Sequence, residues 1–389
     1  MANKKLFILL FLKLFFLGIG GSIVGPLIPI LSDSFEVGLD MLGTTLSLNA
    51  FGLLIASIFS GTLSEKLGRK NMLSFGSILF TASFLALYFS SSYILFTISY
   101  LIFGLSWGII SINSNSIISD SFDLNRSSMI IKLNIGFMLG AAVAPLILSG
   151  VLFFDISWRY IFLFIPLSNT ILFILMLLMK HDNLGNKKRS ENPAMLFSTN
   201  RSFLLNLTII FCGIISFFHF GLGFSFGAWF TNYFESLNVP INISSLILSL
   251  NLFFFCAGMF LQSSLLNKFS EKKLMQVFSI PAFVFLFASF ILDNLILKVL
   301  FILFFYFAFS GIATIALSLA IKQKPRYSGL INSIINSYGL VGTIIFQYLA
   351  GYLAENFSAS GVFYISLSAL FLLVIFTSIL RTFPEQSAR

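Results

Sequence analysis

The sequence predicts an all-α polytopic membrane protein, with twelve transmembrane helices in two pseudo-symmetric six-helix bundles. Three observations carry this expectation. Of 389 residues, only 10% are charged while 58% are hydrophobic, and the mean hydropathy is +0.98; soluble domains run at about a quarter charged, so this chain has too few polar residues to cover a core. Apolar runs of membrane-spanning length recur along the chain. The chain also matches itself, weakly but consistently, when slid by about 202 residues.

The runs have approximate limits 6–31, 40–62, 71–91, 93–118, 130–153, 158–180, 203–234, 241–266, 273–292, 296–321, 327–353 and 359–381. They are continuous, unlike the short alternating strands of an outer-membrane barrel. The first is too long, and too closely followed by a second, for a cleaved leader. The longest loop, 181–202, holds Lys187, Lys188 and Arg189 and is broken by Gly185 and Pro193. It reads as a cytoplasmic linker between an N-terminal bundle, 1–180, and a C-terminal bundle, 203–389.

Charge then gives orientation. The net charge of +9 comes from 23 Lys and Arg against 14 Asp and Glu. Sorted by loop, the bases fall almost wholly on the side of the termini and the even-numbered loops. Arg159 and Lys298 lie on the other side, and Lys13 lies inside the first span. Acids divide evenly between the two sides. The positive-inside rule makes both termini cytoplasmic in a multi-pass protein. The basic excess is thus a topology signal, and no nucleic-acid partner is expected.

The repeat places Asn134 on Asn336, Gly140 on Gly342, and Leu63 to Lys70 on Leu265 to Lys272. The second copy of that loop keeps its basic character and loses its glycines. Two duplicated bundles suggest rocking about a central cavity.

Between spans 2 and 3 runs Gly61-Thr62-Leu63-Ser64-Glu65-Lys66-Leu67-Gly68-Arg69-Lys70. It resembles the signature loop of the major facilitator superfamily of secondary transporters, G-x-L-x-D-R-x-G-R-K, with Glu65 in place of the commoner Asp. Gly61 would let helices approach closely, Glu65 would pair at a helix end, Gly68 would permit a tight turn, and Arg69 and Lys70 would hold the loop at the cytoplasmic side. Asp120 followed by Arg126 resembles the family's acid-then-base pattern at the end of helix 4. Trp158 to Phe162 resembles its opening of helix 6, and Gly20, Gly21, Gly25, Pro26 and Pro29 its breaker-rich helix 1. The resemblance implies gating roles for Gly61, Glu65, Gly68, Arg69, Lys70, Asp120 and Arg126. There are two departures. Tyr100, four residues before Gly104, stands where many members carry an Arg linked with proton coupling. Gly136, Gly140, Ala144 and Pro145 keep only part of the helix 5 motif of drug/proton exporters, which leans towards efflux; close helix packing explains the same residues.

Ionisable groups inside a membrane are costly, so each asks for a reason. Lys13 is either a cavity cation or a side chain snorkelling to the interface. His219, with Ser216 and Gly223 at helical spacing, is either a proton carrier or a packing histidine. No acid lies at mid-span. Ser99, Ser106, Asn113 and Asp120 recur every seven residues on helix 4, and Asn332, Asn336, Gly339, Thr343 and Gln347 share a face of helix 11. Asn251 and Gln262 on helix 8, and Thr45 and Asn49 on helix 2, add further polar groups. Such faces either line a cavity or hydrogen-bond between helices. The substrate or coupling candidates are Lys13, Asn113, His219, Asn251, Asn332 and Asn336. Phe217, Phe218, Phe226, Trp229 and Phe230 could wall a site, although with 51 Phe in the chain a packing role is the default.

No His-Glu-x-x-His, paired metal-spaced Cys or Walker loop occurs, so no cofactor, no metal, no enzyme activity and no ATP coupling are expected. Cys212 and Cys256 are expected to be free thiols. The expected function is secondary active transport of a small organic solute, most simply efflux across a bacterial inner membrane by alternating access. Its partners would be the solute, a coupling proton or ion, and membrane lipid, and the protein would act as a monomer. Uptake of an anionic metabolite or siderophore-like chelator, and a non-transporting sensor or scaffold, are the alternatives.

Overall fold

The structure, a computed structural model, describes residues 2–122, 126–178, 206–266, 268–324 and 327–380. The expected linker, 181–202, lies outside them. Among the described residues there is no strand, and twelve helices are long and apolar enough to cross a membrane. They are α1 (Lys4–Phe35), α2 (Leu39–Leu67), α3 (Arg69–Tyr88), α4 (Tyr93–Ser121), α5 (Met129–Phe153), α6 (Arg159–Leu177), α7 (Leu207–Ser236), α8 (Ile241–Leu265), α9 (Glu271–Ile291), α10 (Leu295–Gln323), α11 (Ser328–Asn356) and α12 (Gly361–Ile379). The order and number are those read from hydropathy. The main departures are at α2, α4 and α11, which extend beyond the apolar runs because their last turns are polar.

Two helices are interrupted, for different reasons. In α1 the helix stops at Ile23, passes through a 3-10 turn at Gly25–Leu27 and resumes at Ile28. Pro26 and Pro29 lack the N–H groups that would continue the ladder. In α10 the break falls between Phe309 and Ile312. There a side chain from α8 repairs it: Gln262 Nε2 donates to the carbonyls of Phe307 (3.1 Å) and Ala308 (2.9 Å), and its Oε1 accepts from the Gly311 amide (3.0 Å). Backbone groups freed inside a membrane need such a partner. Gln262 is therefore an interhelical brace.

The chain divides into two compact units: Met1–Glu191 with Ala228–Ser249, and Asn192–Gly227 with Leu250–Arg389. The first unit includes the last turns of α7 and the first turns of α8. Thr231 Oγ1 donates to the Pro26 carbonyl (3.1 Å), and Ser249 Oγ to the Ala142 carbonyl (2.6 Å). Gly25 lies so close to Ala228 that a Cβ would stand 2.5 Å from the Ala228 Cα.

Inside each unit the 202-residue repeat is legible as packing. Gly140 lies against the Phe15 carbonyl on the α1–α5 seam, and Gly342 lies against the Phe217 carbonyl on the α7–α11 seam. Two other points of the seam exchange sides. Gly18 on α1 meets Phe137 on α5, whereas Phe220 on α7 meets Gly339 on α11. Gly136 on α5 meets Phe11, whereas Gly213 on α7 meets Tyr338. Interhelical packing in lipid rests on close approach and shape, so a small residue can move to the partner helix if the large one moves with it. This exchange explains why the repeat is faint residue by residue. It also shows that the partial helix 5 motif acts in a helix seam.

Candidate gate and binding residues

The family-like loop lies at the turn between α2 and α3. Gly68 has φ +87°, a conformation that costs a residue with Cβ, so glycine is needed there. This turn aims Arg69, the first residue of α3, at the end of α4. Arg69 forms an ion pair with Asp120 and donates to the Ser116 carbonyl at 3.0 Å. The two side chains are 18% and 12% exposed. Lys70 reaches the Leu177 carbonyl at the end of α6 (3.4 Å). The loop thus ties α3 to α4 and α6. Two expectations need correcting. Gly61 makes no close helix contact: a Cβ there would meet nothing within 4 Å. Glu65 is exposed and has no partner among the described residues. Arg126 begins the helix that continues as α5; its side chain lies outside the described set.

Lys13 does not snorkel. It is buried, and its ammonium donates to Ser77 Oγ on α3 (2.7 Å) and Asn169 Oδ1 on α6 (3.5 Å). Asn169 in turn donates to the Ser77 carbonyl and Thr81 Oγ1, both at 2.9 Å. Among the described residues Lys13 pairs with no carboxylate. Asn169 and Ser77 went unread in the sequence because the polar residues around them, Ser168 and Thr170 on α6 and Ser74 and Thr81 on α3, single out neither one.

Asn113 is also buried. Its amide donates to Ser60 Oγ on α2 (2.9 Å) and to the Ile109 carbonyl (2.8 Å), which makes it part of the α2–α4 contact. Nearby, Asn49 Nδ2 donates to the Tyr100 carbonyl at 2.8 Å, and Tyr100 is packed against Phe96 and Phe103. The α11 stripe divides. Thr343 and Gln347 are buried, with Gln347 donating to the Phe224 carbonyl on α7 (3.0 Å). Asn332, further towards the helix start, is exposed and accepts from Asn336 (3.1 Å).

The second unit holds a group of buried polar side chains with unmet hydrogen-bonding capacity. The His219 ring stacks on Phe309 of α10, with centroids 4.1 Å apart and planes at 20°. Among the described residues its Nδ1 has no hydrogen-bond partner, and neither do Ser216 Oγ, Tyr306 Oη or either amide atom of Asn251. The α7 face of His219, Gly223 and Gly227 is set against Phe309 and Tyr306: a Cβ on Gly223 would lie 3.3 Å from the Phe309 ring, and one on Gly227 3.7 Å from Tyr306 Oη. Each orphaned buried polar atom costs about 1–3 kcal/mol unless water or a solute completes it. These groups are neutral donors and acceptors beside aromatic rings, with no carboxylate among them. Tyr306 escaped the sequence reading, since one hydroxyl in a Phe-rich span carries no periodicity. Phe226, Trp229 and Phe230 are buried in packing, and Phe218 stacks on Phe376 of α12 (5.9 Å, 25°). Cys212 and Cys256 are free.

Comparison with known proteins agrees with this architecture. The family model of the Major Facilitator Superfamily matches residues 10–346. A protein TsgA homolog of Buchnera aphidicola subsp. Baizongia pistaciae is 24% identical over 371 residues, which is 93% of this chain and 93% of that protein. The quinolone resistance protein NorA of Staphylococcus aureus is 29% identical over 187 residues, 46% of each chain. The solved structure of a D-xylose-proton symporter superposes with a TM-score of 0.82 at 15% identity, covering 98% of each chain.

Proposed function

Because the chain belongs to the Major Facilitator Superfamily, a family of transporters rather than enzymes, we propose that it is a secondary active transporter that exports a small organic solute across a bacterial inner membrane by alternating access. The two six-helix bundles, 1–180 and 203–389, joined by the 181–202 linker, are the moving parts of this reading. The observation that carries solute binding is the group around His219. Among the described residues, Ser216, His219, Asn251 and Tyr306 keep buried polar atoms without a hydrogen-bond partner, and the Phe309 ring stacks on His219. Such a set suits an uncharged solute with several donors or acceptors and a planar or apolar side. His219 is also a group able to carry a coupling proton. Support for export comes from the stretch shared with a protein named for quinolone resistance.

A second reading, uptake of an anionic metabolite, is favoured by one observation: Lys13 is a buried cation whose named partners are neutral. The deciding experiment is a ligand screen by thermal shift, since a solute that binds the folded state raises its stability. Flux in proteoliposomes would follow. Under the first reading, Tyr306→Phe and His219→Ala weaken binding of a neutral solute and Lys13→Met does not. Weakening by Lys13→Met alone, for anions alone, would select the second.

A further inference from the structure

The 202-residue repeat carries Arg69 onto Glu271, Ser116 onto Ser318 and Asp120 onto Lys322. These are the three members of the clasp described above, and their counterparts also meet. Glu271 forms an ion pair with Lys322, and the Ser318 hydroxyl lies 3.4 Å from the Glu271 carboxylate. The second half therefore keeps the contact at all three positions and reverses its charges. The turn before it has relaxed as well: Ser270, at the position of Gly68, has an ordinary extended φ of −68°.

Helix ends decide what the reversal does. Asp120 stands in the last turn of α4, where the exposed carbonyls oppose a negative charge. With 12% of its side chain exposed, it has little water to turn to and depends on Arg69. Glu271 is the first residue of α9, where free amides favour a negative charge, and Lys322 is in the last turn of α10, where carbonyls favour a positive one. The exposures differ in the same sense: the Glu271 side chain is 10% exposed, but that of Lys322 is 60% exposed. Glu271 is thus held by its own helix end and by Ser318, whether or not Lys322 stays. A switching contact needs two states of similar free energy. The first pair, whose attraction is set against the end of α4, is of that kind. In the second pair the helix ends and the pairing act together.

We propose that Glu271, Ser318 and Lys322 form a fixed copy of the clasp, and that the releasable clasp of the transport cycle is carried by Arg69 and Asp120 alone. This rests on the transporter reading for its second half only. The test is a pair of double-mutant cycles on the thermal midpoint of the purified full chain, together with flux. Arg69→Ala lowers the midpoint, and adding Asp120→Asn recovers part of the loss, because the stranded acid is removed. Lys322→Ala shifts the midpoint little, Glu271→Gln lowers it, and the two effects add. Flux falls by about tenfold in Arg69→Ala and stays within about twofold of wild type in Lys322→Ala. Equal coupling in the two pairs, or a loss of flux in Lys322→Ala matching that in Arg69→Ala, would overturn the proposal. The midpoint cycles need no substrate, so they stand or fall separately from transport. If wild type carries no solute at all, the transporter reading fails while the cycles still report on the clasps.

Discussion

Replacing Lys13 by Met should change the stability of this protein little, whereas replacing its partner Asn169 by Leu should destabilise it. The ammonium is buried among α1, α3 and α6 with only neutral partners named for it, and the effective penalty for burying an ion is several kcal/mol. Its bonds to Ser77 (2.7 Å) and Asn169 (3.5 Å) return about 1.5–3 kcal/mol each, the longer one less. In Lys13→Met the remaining polar groups mostly keep their partners. Ser77 Oγ still donates to the Leu73 carbonyl, and Asn169 Nδ2 still donates to Ser77 and Thr81. Only Asn169 Oδ1 is orphaned, at about 1–3 kcal/mol. These terms nearly cancel, so the net expectation is a stability within about 1–2 kcal/mol of wild type. Asn169→Leu removes three hydrogen bonds and leaves the ammonium in place, a loss of about 3–4 kcal/mol. The assay is the fraction of detergent-purified protein that stays monodisperse after heating, at one heating rate, because unfolding of such proteins is seldom reversible. A fall in Lys13→Met as large as that in Asn169→Leu would refute the reasoning and make Lys13 a structural keystone. A stable Lys13→Met variant that has lost flux would show why a costly charge is kept, as expected for ionisable groups in membranes.

Other consequences are as direct. Gly140→Val drives a side chain into the Phe15 carbonyl and should abolish accumulation of folded protein, while Gly61→Ala, with open space around it, should fold as wild type and be read by flux; membrane-fraction yield separates the two. Gln262→Leu leaves the α10 break without its brace and should cost about 3 kcal/mol by the same thermal assay, with a wild-type midpoint counting against the bracing role. A membrane-permeant maleimide should label Cys256 well before the fully buried Cys212; equal rates by mass spectrometry would contradict the packing of α7. Reporter fusions at either terminus should be active only when the reporter works in the cytoplasm, and a periplasmic signal would reverse the orientation drawn from the basic loops.

What could be read in advance follows the strength of each physical signal. Hydropathy located all twelve spans because leaving lipid-length apolar runs in water is prohibitive, and the Gly68-Arg69 turn was readable because a positive φ selects glycine. Side-chain direction was not readable. Periodicity put Asn113 on a polar face of α4 without saying that this face meets Ser60, and Lys13, a single polar group in an apolar stretch, carried no periodicity to show that it turns towards α3 and α6. The clasp of the second half was in view once the repeat was aligned, since Glu271 falls on Arg69. It escaped because similarity was judged by residue type, and a reversed ion pair keeps the contact while losing every identity. The same holds for the α1–α5 and α7–α11 seams, where Gly18 with Phe137 and Phe220 with Gly339 fill one space in opposite order.

Under the transporter reading this chain alone moves a solute at the expense of an ion gradient. The most direct test is flux of a ligand, identified by thermal shift, into or out of proteoliposomes holding the purified protein, with an imposed proton or sodium gradient and no nucleotide. The expected result is accumulation that follows the gradient, collapses when an ionophore dissipates it, and falls sharply in Arg69→Ala. A ligand that binds, yet never crosses under any gradient, would contradict the account and leave a receptor in the transporter's fold.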